Sequence, residues 1–281
     1  MKLDNGIISV TIANHGAELK SAVKDGIEYM WCADEKYWAR TSPILFPFVG
    51  SLKDKAYRLD GKLYPMSQHG FARDNEFELV SNDDTSATYI LNENEKTLAK
   101  YPFKFALVIK YTLIGSKIKI EWTVQNKNDK IMSFSIGAHP AFNLRKGDNY
   151  FKFDNANDIV YNLIDESGLY DKNRVHTLKN NGYVKITDDM FDNDALIIEN
   201  NQAKEVTLCD KNKLPYIKVK FDAELFGLWS PTKKNAPFVC IEPWYGRCDR
   251  NDFDGELSQR DYIINLNARE KFNAAYEIEL L

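Results

Sequence analysis

Apolar and polar residues alternate with period two from one end of this chain to the other. In KIKIEWTV, Ile118, Ile120, Trp122 and Val124 point one way, and Lys117, Lys119, Glu121 and Thr123 point the other. In YIKVKFD, Ile217, Val219 and Phe221 oppose Lys218, Lys220 and Asp222, and in AAYEIEL, Tyr276, Ile278 and Leu280 oppose Glu277 and Glu279. Successive side chains of a strand face opposite ways, so each segment reads as a strand with one buried and one wet face. GIISVTIA, FALVIKYTL and EVTLCD read as further strands with weaker contrast. The aromatic share of 13% suits pleated surfaces. Helical signals are sparse, the best being Asn94 to Tyr101, NEKTLAKY, closed by Pro102. Turn clusters (SNDDTS, NKNDK, KNNG) separate the strand patterns. Together these predict an all-β chain, a large antiparallel β-sandwich with few short helices.

Length alone would suggest about two domains. No repeat, low-complexity tract or Pro/Gly/Ser linker divides the chain, however. The long polar region from Asn143 to Asn181 is bracketed by strand patterns and reads as excursions, with short strands of its own, from one sandwich. The expectation is a single domain over residues 1–281.

Composition excludes several classes. With 44% hydrophobic residues the chain can bury a sizeable core, unlike a disordered protein. A net charge of −4, without a basic stripe, argues against a nucleic-acid partner. The longest stretch free of charged residues, Ile131 to Leu144, falls short of the about 20 residues of a spanning helix. Asp4 stands where a signal peptide would need an apolar run. Four cysteines without a CxxC pair suggest neither a disulfide framework nor a structural zinc site. The expectation is a reduced cytoplasmic protein, a monomer or weak homodimer, with no membrane partner.

Three segments break the alternation: Ser67 to Asp74 (SQHGFARD), Ser135 to Asn143 (SIGAHPAFN) and Val239 to Asp249 (VCIEPWYGRCD). Each sets an ionisable residue beside Gly or Pro just after an apolar run, as when a strand end delivers a side chain into a loop-lined cleft. In VCIE, Cys240 and Glu242 share one face and Val239 and Ile241 the other, the pattern of a strand buried on both sides, with Pro243 ending the ladder. A carboxylate there loses solvation, which raises its pKa toward general-base values; the structural alternative is a loop clamp with Arg247 or Arg250. Of four histidines, His15 and His176 read as surface residues. His69-Gly70 and His139-Pro140 sit in the interrupted segments, where an imidazole can donate or accept a proton near neutral pH.

Metal-ligand spacing is absent: His69 and His139 lie far apart and no HxH or HExxH occurs, so only a fold-assembled zinc site is open and no metal is expected. There is no GxSxG, GxGxxG or P-loop pattern, so neither a serine nucleophile nor a nucleotide cofactor is expected. Phe48, Phe71, Phe142, Trp229, Trp244 and Tyr245 lie near the interrupted segments; most should be core, with one or two free to stack on a sugar ring.

Ser42 to Asp54 (SPILFPFVGSLKD), SQHGFARD, IGAHPAFN and IEPWYGRCD, in that order, resemble the aldose 1-epimerase (galactose mutarotase-like) family. The likeness is greatest to bacterial members associated with lactose-utilisation operons, and some of it is to the hexose-6-phosphate mutarotase branch. The resemblance covers essentially the whole chain and implies a β-supersandwich. It implies that His139 is the general acid, Glu242 the general base and His69 a substrate-positioning histidine, with Arg73 helping to hold substrate. Family members commonly carry arginine after the glycine of the FP-x-x-G segment; here Ser51 stands there, with Lys53 two further on. A phosphate-binding role would then fall to Lys53 and Arg73, with Lys55 and Arg40 at the same rim. For the acidic residue that grips sugar hydroxyls the candidates are Asp194 and Asp192, in FDNDALII, and for aromatic contact Trp229.

The implied activity is interconversion of the α and β anomers of a hexose or hexose phosphate, with acid and base on opposite sides of the hemiacetal and no cofactor. The alternatives are a non-catalytic sugar-binding or sensing protein on the same fold, and a glycoside hydrolase, which would need a second carboxylate such as Asp249.

Overall fold

The computed structural model describes all 281 residues. Two large antiparallel sheets dominate. The nine-stranded sheet is centred on Pro215–Phe221, Lys271–Leu280, Lys117–Asn126 and Phe105–Ile114, the segments in which alternation is clearest. In it Trp122 pairs with Ala274 and Ile109, and every second residue of Lys117–Asn126 is buried. The second large sheet runs through Ile159–Ile164, Leu196–Ile198, Leu225–Trp229, Phe238–Tyr245 and Ile136–Ala138. Four strands between Lys2 and Glu28 form a separate small sheet.

The two large sheets share one apolar core of 62 buried residues, with Trp122 beside Tyr245 and Phe221 beside Phe226 as contacts across it. The all-β expectation holds. The α-helix is Glu95–Lys100, capped by Asn94 with a reciprocal Thr97 bond and ended before Pro102, as the sequence predicts. The region after Asn143 is more ordered than expected: it carries strands Tyr150–Phe153 and Ile159–Ile164 and the nine-residue Tyr170–Leu178. Its polar residues lie largely on an exposed outer strand, which masks the alternation. All four cysteines are free thiols.

The strand Phe238–Tyr245 is buried on both faces. Val239 and Ile241 join the main core. Phe238, Cys240, Glu242 and Trp244 turn to the opposite face, which loops cover. Pro243 does not end this strand, contrary to expectation. On one side it pairs with Phe226. On the other, Ala141–Asn143 pairs with residues 238–240 and Ile136–Gly137 with residues 244–245. The missing N–H of Pro243 therefore falls in the break between two partner strands, where His139 and Pro140 cross.

Candidate active site

That break in the sheet builds the site. His139 leaves the strand Ile136–Ala138 just where the facing strand presents Glu242. His139 Nε2 lies 3.3 Å from Glu242 Oε1, and both side chains are at least nine-tenths buried. The pair sits at the floor of a cleft of about 240 Å³, whose wall also carries His69, Arg73, Asp194 and Trp229. The chain has a second, separate cavity of about 170 Å³, beside Asn149 and Ser230.

Gly227 stands directly across from Glu242 in the neighbouring strand. A Cβ there would meet the Trp244 ring at 2.3 Å, so the glycine lets the Trp244 indole lie flat over the sheet beside the carboxylate. The Trp38 ring stacks on His139 at 4.7 Å between centroids, and the Trp229 ring meets it edge-on at 5.1 Å. His69 holds a left-handed backbone (φ 64°). Its Nδ1 accepts a hydrogen bond from the Gly50 N–H at 3.1 Å, and its own N–H donates to the Gly50 carbonyl at 2.9 Å. Accepting at Nδ1 fixes the ring proton on Nε2. The His69 and His139 rings meet edge to face at 5.7 Å.

Electrostatics follow from burial. Burial pushes the Glu242 carboxyl well above 4.5; the Trp244 indole works against the rise and Asp194 adds to it. Burial, then the charge of Arg73, brings the His139 imidazole down to about 3. His69 is lowered well below 6.5 by burial, then by Arg73 and His139. Both members of the 3.3 Å pair are thus driven toward their neutral forms, a carboxylic acid and an imidazole that hold one proton between them. Glu242 Oε2 and His139 Nδ1 are buried without a hydrogen-bond partner.

Of the residues singled out from sequence, His139, Glu242, His69, Arg73, Asp194 and Trp229 meet in this cleft. Lys53 does not. Its ammonium donates to the Phe253 carbonyl at 2.9 Å, and it lines a different groove with Asp254 and Arg260. The expected cationic rim therefore splits. Arg73 lines the cleft and donates to the Gln68 carbonyl at 2.9 Å, while Arg40, whose charge adds to burial in lowering the Arg73 pKa, pairs with Asp74 at 2.7 Å outside the lining. Lys53 and the exposed Lys55 lie elsewhere.

Asp194 faces the cleft, its own Oδ1 accepting from the Ala195 N–H at 2.7 Å; Asp192 is not part of the wall. The loop-clamp alternative for Glu242 does not occur, because Arg247 pairs with Glu199 and Asp261 and Arg250 with Asp252 and Asp261. Asp249, the second carboxylate a hydrolase reading would need, is bound to Arg260 at 2.5 Å outside the cleft. Phe48, Phe71 and Phe142 are core residues. Trp38 escaped the sequence reading. It sits in the polar loop DEKYWARTSP, where no periodicity assigns it a face, and the aromatic pair Tyr37-Trp38 among charges was the only signal.

The family model described as aldose 1-epimerase matches residues 1–264 of this chain. The plasmid-borne protein LacX of Lactococcus lactis subsp. lactis is 32% identical, over all of this chain and 99% of its own length. Among solved structures, a galactose mutarotase related enzyme from Lactobacillus acidophilus superposes with a TM-score of 0.94 at 34% identity, over all of this chain and 97% of that one. A galactose mutarotase-like protein from Lactobacillus casei gives a TM-score of 0.94 at 31% identity, over all of this chain and 99% of that one.

Proposed function

For a chain that belongs to the aldose 1-epimerase family, we propose a mutarotase that interconverts the α and β anomers of a hexose or hexose phosphate through His139 and Glu242. The supporting observation is a buried imidazole and carboxyl 3.3 Å apart at the floor of an open cleft. Anomer exchange needs one proton taken from the C1 hydroxyl and one given to the ring oxygen. Both oxygens are bonded to the same carbon, so an acid and base side by side suit them better than the expected arrangement across the ring.

Glu242, as carboxylate, takes the hydroxyl proton, and His139, as imidazolium, protonates the ring oxygen. The bond from C1 to the ring oxygen breaks to the open aldehyde. Rotation about C1–C2 turns the carbonyl, and closure with the reverse proton transfers gives the other anomer. The reactive form differs from the neutral pair only by one proton moved across the 3.3 Å contact, so no exchange with solvent is needed. The His69 Nε2–H and the Arg73 guanidinium donate to sugar oxygens, and Asp194 accepts from hydroxyls. A sugar phosphate would place its anion by Arg73, without Lys53.

Polarimetry on freshly dissolved α-glucose, α-galactose and glucose 6-phosphate tests this reading. His139→Ala and Glu242→Gln should each lower the catalysed rate about 10²–10⁴-fold in folded protein. Intact rates in both variants would reject the assignment. Calorimetric sugar binding with no rate enhancement in the native protein would replace it with a sugar sensor.

A further inference from the structure

We propose that the cleft floor is also a binding site for a thiophilic divalent cation, with His139, Cys240 and Glu242 as its protein ligands. Cys240 and Glu242 are two residues apart on one strand and so face the same way. Ala141 pairs with Cys240, which brings His139, two residues earlier, over the same face. One nitrogen, one sulfur and one carboxylate oxygen from these residues all lie within 4.8 Å of one another.

Three observations carry the assignment. The 3.3 Å between His139 Nε2 and Glu242 Oε1 matches the edge of a tetrahedron with metal–ligand bonds of about 2.0–2.1 Å. With the donor atoms within 4.8 Å of one another, closing the sulfur onto the same ion takes a side-chain adjustment on the order of 1 Å. All three residues are buried, and Glu242 Oε2 is an acceptor with no partner.

The charge count also fits. A thiolate and a carboxylate cancel a dication, and the imidazole adds none, so the complex is neutral where an uncompensated charge would be costly. The N, S, O donor set selects zinc-like ions over magnesium or calcium. Three protein ligands leave a fourth position for water on the cleft side. Sequence spacing gave no hint of this, because the three ligands assemble only across the break in the sheet.

Binding of the ion is independent of the proposed mutarotase activity. Its consequence rests on that reading: an ion held by Nε2 and Oε1 takes the lone pairs that move protons, so zinc would compete with sugar and stop turnover.

Equilibrium dialysis of the full chain with zinc, and the spectrum with cobalt in its place, test binding directly. The exposed Cys32 is replaced by serine throughout to remove an adventitious thiol. We expect one zinc per chain, not displaced by magnesium, and a sulfur-to-cobalt charge-transfer band. Cys240→Ser should abolish the band and weaken zinc about tenfold or more, with Cys240→Ala as the second variant should the serine destabilise the fold. Cys248→Ser, which changes the thiol that lines the cleft, should keep both. No stoichiometric zinc, or a band and affinity that survive both Cys240 substitutions, would overturn the site. In polarimetry, zinc should arrest the Cys32→Ser protein and spare its Cys240→Ser derivative. Equal inhibition of both would overturn the competition while leaving the dialysis result to stand by itself.

Discussion

At the scale of single residues, the cleft keeps an acid–base pair short of full ionisation. The Trp38 face under the His139 ring favours its charged form, as does a hydrogen bond with the residue's own backbone. An indole face attracts a cation, while burial and Arg73 oppose it. Under the proposed mechanism Trp38 would act as a positioning residue. Trp38→Leu should lower kcat/KM about fivefold by removing roughly 1 kcal/mol of cation–π attraction, and Trp38→Phe should recover most of it. A purely structural role would instead show as lost thermal stability with an unchanged pH profile. Glu242 gives a second expectation. Its folded pKa is raised above 4.5, so the folded state holds this proton where the unfolded chain has lost it. Stability is therefore lost as pH rises above 4.5 toward the raised folded value. Glu242→Gln removes that loss. Urea unfolding should find that the stability of the variant relative to the native protein increases as pH rises from 4.5 toward about 8. An equal gap at both pH values would contradict this origin.

At the scale of elements, the strand Phe238–Tyr245 shows what a sequence does and does not disclose. The alternation in VCIE correctly separates a core face from a second buried face, and it put Glu242 and Cys240 on the same side. The role of Pro243 was not legible. A proline breaks a ladder only where a neighbour needs its N–H, and the neighbours here are set by residues about a hundred positions earlier. The alternative of a clamp between Glu242 and Arg247 fails for the same reason: the two are near in sequence, but folding brings Glu199 to 2.6 Å from Arg247. Gly227 was invisible in sequence because its importance lies in what sits over it. Gly227→Ala would drive a methyl group into the Trp244 ring, at 2.3 Å from its nearest atom. The expected cost is about 1–3 kcal/mol in denaturant unfolding, together with a fall in kcat. Unchanged stability would show that the ring moves freely and that the cleft floor is less rigid than its packing implies.

At the scale of the whole molecule, the sandwich gives the cleft a rigid floor, and the histidines it buries bear on the molecule's acid stability. The large scaffold was legible because strands repeat one local rule many times. The site was legible only through residues that break that rule, which is why His69, His139 and Glu242 stood out and Lys53 misled: a basic side chain on a loop carries no signal of the direction it takes. Burying His139 and His69 has a consequence for acid stability. In the unfolded chain these imidazoles titrate near 6.5, whereas folded His139 titrates at about 3 and His69 well below 6.5. Between those values the unfolded chain binds more protons, so stability falls as pH drops. Each such histidine contributes up to about a tenfold change in the unfolding constant per pH unit. The carboxyls of Asp83 and Asp252, held at about 2, add their own loss at lower pH. They are common to native and variant protein, so a comparison cancels them. Urea midpoints measured from pH 7 downward should fall more steeply for the native protein than for His139→Gln, with the difference opening below 6.5 and levelling near 3. Parallel curves would mean that His139 takes up its proton without unfolding. In that case the cleft would already hold an imidazolium in mild acid, and the acid limb of mutarotation would be set by Glu242 instead.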